Sequence, residues 1–381
     1  MDIQTPTVRT DVATVYAAIE LSRKSWLAGV QSTRQGRASR HKLAAGDAAG
    51  LWRVLERERE RLERSGCGAT RMVTCYEAGR DGFWLQRYLA SRGATSLVVD
   101  PASIEVNRRA RRAKSDKLDV ESQLRVLISY DAGERHRCRM VAVPSEAEEA
   151  ARRPGRERQR LLRERTAQSN RISGLLATQG IYGYRPLRAD RWERLAELRC
   201  AAGRELPAEL HEEVVRSLTR LEFAQAQMRE VEKQRAAGLA GEDRGAQHAR
   251  ALMRLNGIGI EIASTLAREV YYRSFANRRQ VGAYVGLPPS PYQSGDSNHE
   301  QGISKAGNRH ARRVAVEAAW LWLEHQRDSA LSRWFFARLG PSKSKRLKKI
   351  LIVALARKLV VALWRYLTQG LVPEGARLKP H

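Results

Sequence analysis

The sequence predicts an α/β N-terminal domain, a helical coiled-coil middle and a mostly α C-terminal domain. Three observations carry this reading. Short apolar, β-branched runs alternate with helical spacing over the first third; prolines punctuate long charged helical stretches in the middle; apolar, tryptophan-bearing helices fill the rest. The corresponding boundaries are 1–135, 136–240 and 241–381.

In chain order, Thr14–Ile19 is a β-branched apolar run that ends in Glu20, and Trp26–Val30 returns as its hairpin partner. Leu51–Leu62 has helical spacing. Arg71–Tyr76 (RMVTCY) reads as a second strand, ending in Glu77 just before Ala78 and Gly79. Phe83–Leu89 reads as a helix, Ser96–Val99 as a strand and Lys117–Leu127 as a further helix. Such alternation builds a mixed or parallel sheet covered by helices.

In the middle, Pro144, Pro154, Pro186 and Pro207 separate charged helical segments. Leu210, Val214, Leu218, Leu221, Ala224, Met228 and Val231 recur at steps of three and four, an apolar stripe suited to a partner helix. That partner is the basic segment Arg156–Leu176 of the same chain or a second copy, so a homo-oligomer (dimer or tetramer) is expected. In the last third, Leu255–Ala263 (LNGIGIEIA) places a Gly-x-Gly turn between helices. It suits either backbone amides meeting a phosphate or a tight turn with no ligand. Val281–Leu287 is followed by a polar loop, Pro288–Asn308, and by helices carrying Trp320, Trp322, Trp334 and Trp364.

Charge narrows the partner. Of 381 residues, 69 are Lys or Arg and 42 Asp or Glu, a net +27 spread along the chain, which points to a polyanion. The first twenty residues carry Asp2, Arg9, Asp11 and Glu20 and no secretory apolar core. Ile350–Leu367 is interrupted by Arg357, Lys358 and Arg365, so it reads as a buried helix, and no membrane partner is expected. Cys67, Cys75, Cys138 and Cys200 make no CxxC pair or zinc spacing; reduced thiols in a cytoplasmic, nucleoid-associated protein account for them. No phosphate-loop lysine motif or dinucleotide fingerprint occurs, which argues against a small-molecule enzyme.

Candidate chemistry centres on acids. In NRRARRAKSDKLDVES (107–122), Asp116 and Asp119 share a helix face directly after Arg108, Arg109, Arg111, Arg112 and Lys114. Carboxylates beside such cations suit a divalent metal, Mg²⁺ or Mn²⁺, held against a phosphodiester; surface ion pairing with Lys117 and Arg112 is the plainer alternative. Glu20 and Glu77 each terminate a strand. Acids at neighbouring strand ends plus acids on a packed helix describe how RNase H-like nucleases assemble sites for two metals about 3.5–4 Å apart.

A second candidate is Ser294 in PYQSGDSNHEQGISKAGNRHARR (291–313). The neighbouring glycine exposes its hydroxyl for attack on phosphorus, although Ser290, Ser297 and Ser304 compete on composition. Lys305, Arg309, Arg312 and Arg313 follow it, and Lys345, Arg346, Lys348 and Lys349 form another candidate phosphate-binding cluster.

Taken together, AAIELSRKSW (17–26), YEAGRDG (76–82), RRAKSDKLD (111–119), LNGIGIEIA (255–263) and FANRRQVGAYVGLPPSPYQSGDS through GISKAGNRHARR (275–313) resemble the transposases of the insertion sequence 110 family. The resemblance runs in order along nearly the whole chain. It implies a RuvC-like N-terminal domain with an Asp-Glu-Asp-Asp set, falling here on Glu20, Glu77, Asp116 and Asp119, and a C-terminal transposase domain whose catalytic serine falls on Ser294. It further implies DNA recombination guided by a structured, element-encoded RNA. Glu20 departs from the family's usual Asp; its extra methylene moves the carboxylate outward by about 1.5 Å. A metal-only RuvC-like nuclease using water, and a catalytically degenerate nucleic-acid-binding relative, are the rival readings.

Overall fold

The computed structural model describes residues 13–34, 37–67, 70–104, 116–294 and 297–380. They fall into two compact units, residues 1–144 and 145–381.

The first unit is an α/β layer structure. Its elements are β1 (Ala13–Leu21), β2 (Ser25–Ser32), β3 (Ser39–Ala44), α1 (Ala48–Arg64), β4 (Thr70–Glu77), α2 (Trp84–Ala90), β5 (Thr95–Val99) and α3 (Asp116–Asp131). The sheet order is β3-β2-β1-β4-β5. β1, β2 and β3 run antiparallel in sequence, whereas β4 is parallel to both β1 and β5.

Alternation along the central strands decides which side chain faces which helix layer. Val15, Ala17 and Ile19 of β1, with Met72 and Tyr76 of β4, join Leu51, Leu55, Leu85 and Leu89 of α1 and α2. Tyr16 and Ala18, with Val73 and Cys75, join Val120, Leu124 and Leu127 of α3. Burial on both faces is why these strands read as continuous apolar runs. Each fully buried leucine or isoleucine in these layers contributes roughly 1.5–3 kcal/mol. Asp47 caps α1 by accepting from the Gly50 amide at 2.7 Å.

The strand β3 is absent from the sequence-based expectations. Its residues, SRHKLA, alternate between half-buried and exposed, and Arg40 and Lys42 replace the apolar side chains that signal a central strand. A second correction lies in the C-terminal part, where the expected polar loop contains a hairpin of two strands.

The second unit opens with α4 (Glu146–Ala150), closed by a capping box between Ser145 and Glu148. It continues through α5 (Arg153–Ala177), α6 (Arg191–Ala196), α7 (Ala208–Ala237), α8 (Arg244–Met253), α9 (Ile260–Glu269), α10 (Arg278–Val285), the hairpin β6 (Pro289–Ser294) and β7 (Ser297–Ile303), then α11 (Arg309–His325), α12 (Ala330–Leu339) and α13 (Lys345–Gln369). α5 and α7 pack antiparallel, as Arg158 pairs with Glu232 near one end and Arg171 with Glu213 near the other. The predicted stripe faces inward: Val214, Leu218 and Leu221 meet Ile172 and Leu176, while Met228 and Val231 meet Leu161.

Helices α8 to α13 enclose the largest core. Trp322 is fully buried there and donates to Ser329 Oγ at 2.9 Å, and Tyr271 donates to the Val360 carbonyl at 2.8 Å. Leu351, Leu355, Leu359 and Leu363 of α13 are buried in this core, as expected for Ile350–Leu367. Among the described residues, no helix is long and apolar enough to cross a membrane.

Candidate active site

Two of the predicted acids stand side by side. The parallel register pairs Ile19 with Tyr76, so Glu20 and Glu77 follow at adjacent strand ends. Both continue the alternation of Ala18 and Cys75, which turns them toward α3. There Gln123 bridges them: its Nε2 donates to Glu20 Oε2 at 3.0 Å and to Glu77 Oε1 at 3.1 Å.

Gln123 is the residue of this cluster that the sequence did not single out. It is 2% exposed, and its Oε1 is buried without a hydrogen-bond partner. Asp119 precedes it by four residues on the same helix and is half-buried; Asp116 is the first residue of α3, one turn earlier. A spacing signal existed, since 116, 119 and 123 fall on one helix face, but an amide advertises no charge.

Packing fixes the approach of α3 to the sheet. A Cβ on Gly29 of β2 would lie 2.4 Å from Val120 Cγ1, so glycine is what admits the helix there. At the other end of α3, Asp131 accepts from the Tyr16 hydroxyl at 2.8 Å and pairs with Arg71. Burial first, and then Asp131, raise the Tyr16 hydroxyl's pKa above the ordinary tyrosine value, keeping it a donor. Cys75 lies under α3 two residues before Glu77. Burial pushes its thiol well up, so it is core and not a nucleophile. All four cysteines are free thiols.

Among the described residues, no group of three or more His, Cys, Asp or Glu side chains is gathered closely enough to hold a metal. The structure thus brings Glu20 and Glu77 together, puts Asp119 on the helix facing them, and says nothing of the Asp116 side chain. The carboxylate and carbonyl oxygens here are hard donors, the ligand type that a divalent cation such as Mg²⁺ takes. Two carboxylates converge on one amide nitrogen, and an orphaned carbonyl oxygen belongs to the same side chain. The arginine run Arg108, Arg109, Arg111, Arg112 and Lys114 lies outside the described residues.

Ser294 is the last residue of β6 and pairs with Ser297 of β7, at the tip of the hairpin. The hairpin's base is locked by close backbone contacts. Gly286 (φ 70°) and Gly307 (φ 84°) have no room for a side chain: a Cβ would meet the Ala306 carbonyl oxygen at 1.9 Å and the Tyr284 carbonyl oxygen at 2.2 Å, respectively. The Arg312 guanidinium completes the lock, its Nη1 donating to the carbonyls of Val285, Lys305 and Ala306 at 3.2, 2.9 and 3.3 Å. Lys305 sits in this turn at φ 56°. Arg309 begins α11, and Arg313 pairs with Glu317 one turn on. Lys345, Arg346, Lys348 and Lys349 occupy the first turns of α13, with the Lys348 ammonium 5.1 Å from the Trp320 ring centre.

The Gly-x-Gly turn is packed within the protein. A Cβ on Gly257 (φ 80°) would come within 3.0 Å of His325. The Asn256 amide donates to the Arg377 carbonyl at 3.1 Å, and Gln326 Nε2 donates to the Asn256 carbonyl at 3.0 Å.

Residues 249–334 match the family described as "Transposase IS116/IS110/IS902 family". The chain is 47% identical over 382 residues to the putative transposase y4rJ of Sinorhizobium fredii, covering 98% of this chain and 96% of the relative. It is 28% identical to a probable family 20 transposase of Pseudomonas aeruginosa, over 78% of this chain and 84% of the relative. It is also 28% identical to the transposase for insertion sequence element IS1328 of Yersinia enterocolitica, over 79% and 85%.

Proposed function

Because the chain belongs to the IS116/IS110/IS902 family of transposases, we propose that it cuts and rejoins DNA through an acidic, metal-holding site in its first unit and the serine hydroxyl of its second. The observation that carries the acidic half is the Glu20–Gln123–Glu77 bridge. An RNase H-like reading of the first unit is supported by the strand order, by acids ending adjacent parallel strands, and by a helix bearing Asp116 and Asp119 over them.

Glu20, Glu77, Asp116 and Asp119 are the residues that would hold Mg²⁺ or Mn²⁺, which neutralises charge at the scissile phosphate. The protein's own part is to keep the carboxylates converged, with Gln123 as the element that orients them. Ser294 Oγ gives up its hydroxyl proton and forms the bond to phosphorus while the bond to the leaving strand oxygen breaks, and that oxygen takes up a proton. The resulting phosphoserine linkage preserves the phosphodiester's energy, so rejoining needs no nucleotide triphosphate. Lys305, Arg309, Arg313 and the α13 cluster grip backbone phosphates. A structured guide RNA supplies base pairing, and two or more copies assemble so that acids and serine from different chains act together.

The decisive experiment is trapping a covalent protein–DNA adduct. Wild type accumulates it in the presence of Mg²⁺, and Ser294→Ala forms none while still binding DNA. Cleavage by Ser294→Ala at wild-type rate would instead mark a metal-only nuclease in which water attacks.

A further inference from the structure

The second unit contains a cavity of about 310 Å³ between the start of α5, the end of α7, α9 and the start of α11. Its acids are already used. Glu269 binds Arg156 through two hydrogen bonds of 2.7 and 3.0 Å, Asp243 pairs with Arg268 at 3.1 Å, and the nearby Glu261 pairs with Arg235. One cation on the wall has no such match.

Arg152 is only 6% exposed, and among the described residues it makes no ion pair. Its guanidinium lies over the Tyr272 ring, 3.8 Å from the centre, while Nε and Nη2 are buried with no hydrogen-bond partner. Further orphan groups on the same wall are Arg235 Nη2, Ser264 Oγ, Thr265 Oγ1 and His310 Nδ1, all buried and unbonded. Ser264 and Thr265 are themselves more than nine-tenths buried. Pro154 and Gly155 bring the N-terminus of the 25-residue α5 to this wall, and its first turn has no side-chain cap.

A buried guanidinium whose Nε and Nη2 make no hydrogen bond is costly, and further unsatisfied polar groups beside it compound that cost. An anion with several acceptor oxygens would satisfy them together once Arg152 and its neighbours turn toward the cavity, and a helix N-terminus favours the same charge. We propose that this cavity binds a phosphate group, either free or carried at the end of a nucleic-acid strand, with Arg152 as its principal cation. The site goes beyond the strand-transfer reading: none of the candidate carboxylates nor Ser294 lines it.

The test is thermal unfolding of the full chain at fixed ionic strength, titrated with inorganic phosphate and, separately, with matched oligonucleotides bearing a 5′-phosphate or a 5′-hydroxyl. Wild type shows a saturable rise in Tm. Arg152→Met abolishes that rise. Arg229→Gln, which removes the same charge from an exposed site on α7, keeps the response. Thr265→Val preserves the packing and weakens the response several-fold, which keeps the proposal testable if Arg152→Met fails to fold. A rise with inorganic phosphate identifies a free-phosphate site; a rise only with the 5′-phosphorylated strand identifies a strand-end site. An equal rise in wild type and Arg152→Met, or no rise with any probe, overturns the proposal.

Discussion

Gln123 shows how one neutral side chain organises two charged ones. Carboxylates at adjacent parallel strand ends repel, and the amide nitrogen donates to one at 3.0 Å and to the other at 3.1 Å. Gln123→Leu should cost about 1–3 kcal/mol in chelator by chemical denaturation, from the loss of two hydrogen bonds to carboxylates. The same variant should also lose DNA cleavage while keeping DNA binding, as measured by gel shift. Gly29→Val addresses the helix's seat instead: its side chain collides with Val120, so an overpacking loss of about 1–3 kcal/mol in unfolding free energy is expected. The acids themselves were legible in the sequence because an apolar strand ending abruptly in a carboxylate is a visible discontinuity. Gln123 was not legible, since its role depends on which helix face meets the sheet.

At the scale of elements, the apolar central strands and the α7 stripe declared themselves through periodicity, whereas β3 and the β6–β7 hairpin did not. β3 is an edge strand with charged residues where a core strand has valines, and the hairpin is built from Pro, Ser, Gly and Asn, which read as loop. Backbone pairing, invisible in composition, makes both. Ion pairing between elements gives a pH signature. Burial pushes the Glu269 carboxyl up, but hydrogen bonds and attraction from Arg156, with help from Asn308 and Arg152, outweigh it and leave it below its ordinary value. A folded pKa below the unfolded one stabilises above the ordinary glutamate range near about 4.3 and is lost as pH falls through the folded value. The stability of the second unit should therefore fall more steeply in wild type than in Glu269→Gln as pH drops below that range, read as Tm against pH.

For the whole molecule, charge and the separation of candidate groups matter most. The acids lie in one compact unit and Ser294 in the other, and the net +27 suits long polyanions. If catalysis draws on two copies, mixing inactive Glu77→Gln with inactive Ser294→Ala should restore recombination to a measurable fraction of wild type in a plasmid assay. No restoration at any ratio would place acids and serine on one chain. The antiparallel α5–α7 pair adds a consequence of its own. It is clamped near α9, where Arg158 and Arg235 both pair with Glu261, and it ends in a separate small apolar cluster around Tyr184 and Leu195. At 1.5 Å per residue, that far cluster stands roughly 30–40 Å from the clamp. Each turn excised in register from both helices would draw its tip inward by about 5.4 Å, shortening the pair and leaving every candidate group untouched.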